Sequence, residues 1–161
     1  MRDGYREAAA LDAALGIARE LSARTVVLDV EPMVAAWGDD QQALDRGVAH
    51  VLSQAASVPG VLVVCFATNS ARSPSAMPSC PPVRTVYLAS AGKPLHTAPY
   101  RAFPPPGVVI GDQIATDGLL AWRLGYAFVH FVPRVDRVPP GPRLLRRGGR
   151  AIRPLLFRGT R

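Results

Sequence analysis

Lysine is almost absent from this chain of 161 residues, in which Lys93 stands alone beside 18 arginines. Cysteine is also scarce, with Cys65 inside the apolar run VLVVCFA and Cys80 in a Pro- and Ser-rich segment. Two cysteines without a recognisable spacing give no support for a disulfide or a metal pair. We expect Cys65 to be a buried strand residue, because Cys is among the most frequently buried residue types.

Long apolar runs and nucleotide-binding patterns are missing as well. No run reaches the roughly 20 apolar residues that a membrane-spanning helix needs. The start, MRDGYREAAALDAAL, carries acids and lacks the apolar core of a signal peptide, so we expect a cytoplasmic protein. Neither G-x-G-x-x-G nor G-x-x-x-x-G-K-[ST] is present, so the sequence predicts no nucleotide cofactor. The three histidines have no metal-ligand spacing.

The positive charge is concentrated in a tail. Residues 134–161 contain nine arginines and one acid, Asp136, and therefore carry +8, which leaves residues 1–133 at −1 of the total +7. This distribution predicts an α/β domain at 1–133 and a basic Arg-rich tail at 134–161, and it argues against the domain itself as a nucleic-acid module. Three roles stay open for the tail: packing its apolar residues on the domain, binding an anionic membrane surface as a peripheral protein, or binding RNA or another acidic partner.

Strand and helix patterns alternate along residues 1–133. The strand patterns are near-continuous runs of β-branched residues and Leu, as in a parallel sheet buried on both faces. We therefore predict an α/β fold with a three-layer, doubly wound parallel sheet. The predicted elements are helix 5–22, strand 24–30, helix 40–57, strand 61–67, loop 68–82, strand 84–90, one short turn, strand 107–112, helix 114–125 ended by Gly125, and strand 126–132.

Polar side chains follow the predicted strands at one edge of this sheet, where ligands bind in open α/β folds. They are acids, a hydroxyl, an amide and one ammonium: Asp29, Glu31, Thr68, Asn69, Lys93, Asp112 and Asp117. Phosphoryl transfer to a carboxylate needs a cation and a metal to offset the charge of the phosphate. Mg²⁺ takes one or two carboxylates beside phosphate and water, and hydroxyl groups hold the remaining phosphoryl oxygens.

Four segments make the chain resemble the haloacid dehalogenase (HAD) superfamily, in particular its YqeG-type subfamily IIIA phosphatases. They are TVVLDVEPMVAAW, VVCFATNS, ASAGKP and VVIGDQIATDGLLAWRLGYAFVHFVP, which extend from about residue 24 to 133 in the family's order. The resemblance implies a Mg²⁺-dependent phosphomonoester phosphatase without a large cap domain. It implies Asp29 as phosphoryl acceptor and Lys93 as charge neutraliser.

The same resemblance implies the remaining site residues. Thr68 and Asn69 would bind phosphate together with Lys93, and Asp112, Asp117, Asp29 and the backbone carbonyl of Glu31 would surround Mg²⁺. The lone lysine supports its assignment independently, because the larger planar fork of Arg is a poor substitute for a compact ammonium. The implied substrate is a phosphorylated small molecule or a lipid headgroup, since relatives of this subfamily include phosphatidylglycerophosphate phosphatases.

The first motif departs from the family pattern Asp-x-Asp-x-Thr. Here it reads Asp29-Val30-Glu31-Pro32-Met33, so the residue expected to move a proton is one methylene longer and the hydroxyl is missing. A displacement of roughly an ångström costs about 10²-fold where positioning is critical. The departure leaves a catalytically impaired binding or regulatory module as the alternative to a phosphatase. A receiver-type phosphoacceptor is a weaker third interpretation.

Overall fold

The computed structural model describes residues 4–132 and 151–157. The described chain is an α/β fold with one six-stranded, all-parallel sheet of order β1-β6-β5-β2-β3-β4, consistent with a Rossmann-like fold. The elements are β1 (Tyr5–Ala8), α1 (Leu11–Glu20), β2 (Thr25–Asp29), α2 (Gln41–Ala56), β3 (Val63–Ala67), β4 (Arg84–Leu88), β5 (Gly107–Gly111), α3 (Leu119–Leu124) and β6 (Ala127–Phe131).

The central strands are buried on both faces, as their continuous apolar runs predict. In β2, Val26 and Leu28 pack into one apolar cluster with residues of α1 and α2. Val27, between them, packs into a second cluster with Leu120 and Ala121 of the segment that includes α3. The alternation follows from the two-residue period of a strand. All residues of β2, β3 and β5 are buried, including their last residues, Asp29, Ala67 and Gly111.

The predicted helix 5–22 is wrong at its start, because residues 5–8 form the edge strand β1. Tyr5 pairs with Phe128 in the register of β1 and β6, and Tyr5 is 3% exposed. The Ala-rich sequence favours a helix, but pairing with β6 and burial of Tyr5 outweigh that local preference. The partner strand lies more than 100 residues away, so no local pattern reveals it.

The predicted helix 114–125 is also modified. Residues Ile114–Gly118 form a π-helical turn, in which the carbonyl of Gln113 accepts from the amides of Asp117 at 2.8 Å and of Gly118 at 3.3 Å. Within the predicted helix 114–125, only α3 (Leu119–Leu124) is α-helical. It ends at Gly125, as predicted, where the backbone is left-handed with a φ of 76°. Such wide turns occur frequently at functional sites.

The described part of the basic tail packs on the domain. Residues 151–156 are helical, and Leu156 and Phe157 are buried beside Tyr5 and Phe128. The Arg153 guanidinium carbon lies 4.2 Å from the centroid of the Tyr5 ring. This contact agrees with the packing alternative for residues 151–157. The other tail residues, 134–150 and 158–161, lie outside the described residues. No helix of the described segments is long and apolar enough to cross a membrane.

Candidate functional site

The strand order changes direction beside β2. From β2 the chain continues to β3 and β4 on one side, and then returns to β5 and β6 on the other side. Ligands of open α/β sheets bind at such a switch point, beyond the carboxyl ends of the strands. Asp29 is the last residue of β2, and Asp112 directly follows β5, which is hydrogen-bonded to β2. The topology therefore places both acids at the switch point.

A buried ammonium joins two of the predicted acids. Lys93 Nζ lies 2.7 Å from Asp29 Oδ1 and 2.7 Å from Asp117 Oδ1. Its third contact is the carbonyl oxygen of Ala67 at the end of β3, at 2.9 Å. An ammonium has three N–H donors, so all three are used by these oxygens. The loop after β4 thus brings the only lysine of the chain onto the acids that follow other strands.

Asp112 completes a group of three buried acids. One carboxylate oxygen from each of Asp29, Asp112 and Asp117 lies within 4.8 Å of the others. When ionised, three carboxylates against the single Lys93 ammonium leave an excess of two negative charges away from solvent. Hard oxygen ligands with excess negative charge are what Mg²⁺ prefers. We call Asp29, Lys93, Asp112 and Asp117 the carboxylate cluster.

The cluster changes the protonation of its own members. Burial raises the pKa of Asp29 well above its usual value, and the nearby Asp117 and Asp112 raise it further, although Lys93 lowers it. Burial alone would lower the pKa of Lys93, but the carboxylates of Asp117 and Asp29 outweigh burial and raise it. Lys93 therefore stays charged, while Asp29 holds a proton more tightly than an exposed aspartate does.

A glycine makes room for one carboxylate. A Cβ added to Gly111 would collide with Asp117 Oδ2. Asp117 is fully buried, and its Oδ2 accepts from the Gln113 amide at 3.3 Å. The π-helical turn directs this side chain back over the end of β5. Asp117 therefore belongs to the cluster rather than serving as an ordinary first-turn helix acid.

Asn69, predicted to bind phosphate, holds the backbone of Lys93. Its Nδ2 donates to the Lys93 carbonyl at 2.9 Å, and its Oδ1 accepts from the Lys93 amide at 2.8 Å. Both polar atoms of the amide are thereby engaged. In this structure Asn69 fixes the loop that delivers the ammonium, which is a positioning role.

Thr68 and Glu31 come together in a second group beside the cluster. The Thr68 hydroxyl donates to Glu31 Oε2 at 2.6 Å, and the Ser70 hydroxyl donates to Glu31 Oε1 at 3.2 Å. Arg72 approaches Glu31 Oε1 at 3.6 Å. Ser70 and Arg72 were not predicted from the sequence, because the loop 68–82 carries no periodic signal. We call Thr68, Ser70 and Arg72 the anion cradle, since they surround the Glu31 carboxylate.

A small open cleft of about 180 Å³ exposes parts of both groups. Its lining includes Asp29, Glu31, Thr68 and Lys93, together with Trp37 and other side chains of the surrounding loops. Pockets for drug-sized ligands measure roughly 300–1,000 Å³. One water needs roughly 10–15 Å³ of cavity volume of this kind. The cleft therefore has room for a phosphate-sized group with a few waters.

A series of polar contacts links Asp112 to β1, the strand at one edge of the sheet. The backbone carbonyl of Asp112 accepts from His130 Nε2 at 3.2 Å, and His130 Nδ1 lies 2.9 Å from the hydroxyl of Tyr5. That hydroxyl donates to Glu7 at 2.6 Å. His130 was given no role from the sequence, because its partner belongs to the strand that sequence patterns did not predict.

Burial raises the pKa of Cys65 to about 12, so its thiol stays protonated and unreactive. Cys65 and Cys80 are both free cysteines, and Cys65 is buried as predicted.

No protein-family model matches this chain, and no curated protein or solved structure is significantly similar to it.

Proposed function

We propose that the protein is a Mg²⁺-dependent phosphomonoester phosphatase of the HAD type, acting through an aspartyl-phosphate on Asp29. The observation that carries the proposal is the carboxylate cluster. Its ammonium contacts the acid at the end of β2, and two further acids lie within reach of one cation. These are the groups that phosphoryl transfer to a carboxylate requires.

The donor set fits Mg²⁺. Three buried carboxylates exceed the charge of Lys93, and a divalent cation held by Asp29, Asp112, Asp117 and the Glu31 carbonyl would balance them. When bound, Mg²⁺ supplies a Lewis acid that draws charge from the phosphoryl oxygens. Lys93 adds a fixed positive charge beside the same oxygens.

Asp29 has one oxygen suited to attack. Its Oδ1 is held by Lys93 at 2.7 Å and by the amide of Val30 at 2.9 Å. Its Oδ2 has no hydrogen-bond partner within residues 4–132 and 151–157. In the proposed reaction Oδ2 attacks phosphorus, and an O–P bond forms as the bond from phosphorus to the leaving alcohol breaks.

Glu31 is the proposed proton carrier. In the first step its carboxyl group gives a proton to the leaving oxygen. In the second step its carboxylate takes a proton from water, which attacks phosphorus, so that the bond to Asp29 breaks and inorganic phosphate leaves. Its position at the cleft, 6% exposed, is compatible with this role.

The finer architecture belongs to the same proposal. Alternate residues of β2 pack into two clusters, which supports a three-layer, doubly wound arrangement. The segments after β2 and β3, residues 30–40 and 68–83, are too short to form a large cap domain, which supports its absence from the proposal. The small cleft suits a phosphate on a small molecule or on a lipid headgroup. A cytoplasmic protein, held at an anionic membrane surface or on an acidic partner by its arginines, is part of this proposal.

The test is turnover of p-nitrophenyl phosphate and a phosphomonoester panel by the purified full chain with Mg²⁺. Asp29→Asn removes the nucleophile and should lower turnover by about 10³-fold or more. Asp12→Asn, on the exposed face of α1, is the matched control and should retain full activity. Equal activity of wild type and Asp29→Asn would overturn the proposed role of Asp29.

A second candidate is a catalytically impaired binding or regulatory module with this fold. It is favoured by the contacts of Glu31, whose two oxygens both accept hydrogen bonds from hydroxyl groups. In this second candidate, these contacts keep the carboxyl group from transferring a proton. Inert wild type together with an active Glu31→Asp variant, which shortens the side chain, would support this candidate over the phosphatase.

A further inference from the structure

The Glu31 carboxylate is surrounded by donors that suit an anion. Thr68 donates to one of its oxygens at 2.6 Å, and Ser70 donates to the other at 3.2 Å, with the Arg72 guanidinium 3.6 Å away. Two hydroxyls and a guanidinium are the groups with which proteins commonly bind phosphate. The internal carboxylate therefore occupies a site whose chemistry suits an external phosphoryl group.

This cradle is held in place by backbone contacts that do not involve Glu31. The Arg72 fork donates to the carbonyl oxygens of Ala36 and Asp39, each at 2.9 Å. The Ser70 amide donates to the Thr68 hydroxyl oxygen at 3.0 Å, and the Arg72 amide donates to the Ser70 hydroxyl oxygen at 3.3 Å. The donors thus keep their arrangement when the carboxylate leaves, as a preorganised binding site requires.

The other predicted phosphate ligands are already engaged. Lys93 uses its three N–H groups on Asp29, Asp117 and the Ala67 carbonyl. Both polar atoms of Asn69 hold the backbone of Lys93. Among the predicted phosphate ligands, Thr68 alone can release its hydroxyl without breaking a contact of the carboxylate cluster. That hydroxyl donates to Glu31.

We propose that Thr68, Ser70 and Arg72 form the phosphate-binding cradle of this site, and that the Glu31 carboxylate is its built-in competitor. A phosphate binds by displacing Glu31 from the two hydroxyls and the guanidinium. In the wild-type chain this exchange lowers the affinity for phosphate. Displacement also frees the Glu31 carboxylate, which takes up a proton from solvent before it protonates the leaving oxygen, so substrate binding itself releases the proton carrier. The identification of the anion with a substrate phosphate rests on the proposed function, whereas the exchange of anions does not.

The test measures binding of inorganic phosphate to the full chain by titration calorimetry in the presence of Mg²⁺. Glu31→Ala empties the cradle and should bind phosphate about tenfold or more tightly than wild type, because a hydrogen bond to a charged group is worth roughly one factor of ten. Glu31→Gln removes the charge but keeps a side chain that accepts from Thr68, so its gain should be smaller. Glu20→Gln, exposed on α1, is the control for loss of one negative charge and should match wild type.

The cradle residues are tested in the Glu31→Ala background. Adding Ser70→Ala should remove several-fold of the gained affinity, since the affinity depends on the hydroxyl. Thermal melting of each variant checks that it folds, and Glu31→Gln, which preserves side-chain volume, serves where Glu31→Ala does not fold. If neither Glu31 variant binds phosphate more tightly than Glu20→Gln, the competitor role is wrong.

Failure of this inference and failure of the phosphatase proposal give different results. In one outcome, Glu31→Ala binds phosphate more tightly, but neither wild type nor Glu31→Asp turns over any phosphomonoester. That result would support the phosphate-binding cradle and overturn the phosphatase proposal. In the other outcome, turnover needs Asp29, but substitutions of Glu31 leave phosphate binding unchanged. That result would support the phosphatase proposal and overturn the competitor role of Glu31.

Discussion

The carboxylate cluster and the anion cradle lie side by side at the same sheet edge, yet their charges are balanced in different ways. The cluster holds three acids and one ammonium, which contacts two of them, so negative charge is in excess and a cation would balance it. In the cradle one carboxylate meets two hydroxyls and a guanidinium, so the anion site already holds an anion. Under the proposed function, the metal site is ready for its cation, whereas the place for phosphate is occupied by the side chain of Glu31.

The largest expected effect is that of Lys93→Met, which removes the only cation of the cluster. Breaking a buried ion pair on one side costs about 3–5 kcal/mol, because the remaining charges are left uncompensated. Urea denaturation without Mg²⁺ should show this loss. Lys93→Arg should also be destabilised, because the larger planar fork does not fit between Asp29 and Asp117. A loss below about 1 kcal/mol for Lys93→Met would show that the acids are not held ionised by Lys93.

Gly111→Ala tests the close approach of Asp117 to the end of β5. The added Cβ collides with the carboxylate, so stability should fall by about 1–3 kcal/mol, and Mg²⁺ affinity should fall with it. Gly16→Ala is the matched control, because a Cβ there meets nothing within 4 Å and α1 gains a better helix former. If both alanine variants kept wild-type Mg²⁺ affinity, Asp117 would not belong to the metal site.

The sheet edge and most of this cluster could be predicted from the sequence for a physical reason. Parallel strands with continuous apolar runs place their carboxyl ends together, so Asp29, Thr68 and Asp112 were expected at one edge and are found there. The contact of Lys93 with Asp29 follows from the same topology, because Lys93 also follows a predicted strand and its ammonium attracts the acids at that edge.

The remaining features depend on contacts that a local pattern does not contain. Strand β1 requires a partner far along the chain, and its Ala-rich sequence favours the competing helix. The π-helical turn that buries Asp117 differs from an α-helix by one residue of hydrogen-bond register. The hydrogen bond from Thr68 to Glu31 joins side chains 37 residues apart, so no local pattern contains it.

Mg²⁺ binding should depend on pH through Asp29. Because its pKa is raised, the folded, metal-free protein keeps a proton on Asp29 to higher pH than an exposed aspartate does, and Mg²⁺ must displace that proton wherever it is present. The stabilising effect of that proton is greatest below the unfolded pKa of about 3.9 and is lost as the pH rises through the raised folded value. Mg²⁺ affinity should therefore rise with pH, by at most about tenfold per unit for one displaced proton.

Calorimetric titration of Mg²⁺ at several pH values measures this dependence. Asp29→Asn has no carboxylate proton to displace at this position and should show a flatter profile. The same slope in wild type and Asp29→Asn would assign the displaced proton to another group.

The smallest expected effect is that of His130→Phe. The ring loses its hydrogen bond to the Asp112 carbonyl but keeps its place in the sheet, so Mg²⁺ affinity should fall by a few-fold, less than the roughly 10–100-fold typical of a direct partner of a ligating group. His130→Gln retains a donor and should recover part of the loss. An unchanged Mg²⁺ affinity in His130→Phe would show that the contact of His130 with Asp112 does not support metal binding.

The most direct measurement of the central claim is the melting temperature of the full chain with Mg²⁺ and beryllium fluoride, which together mimic an aspartyl-phosphate. At about 100-fold excess over the dissociation constant a ligand adds about 2.7 kcal/mol to the free energy of unfolding, a rise of several degrees for a chain of this size. We predict this rise for wild type only when both components are present, and no rise for Asp29→Asn. No rise in wild type, or an equal rise in Asp29→Asn, would contradict Asp29 as the phosphoryl acceptor of a Mg²⁺-dependent site.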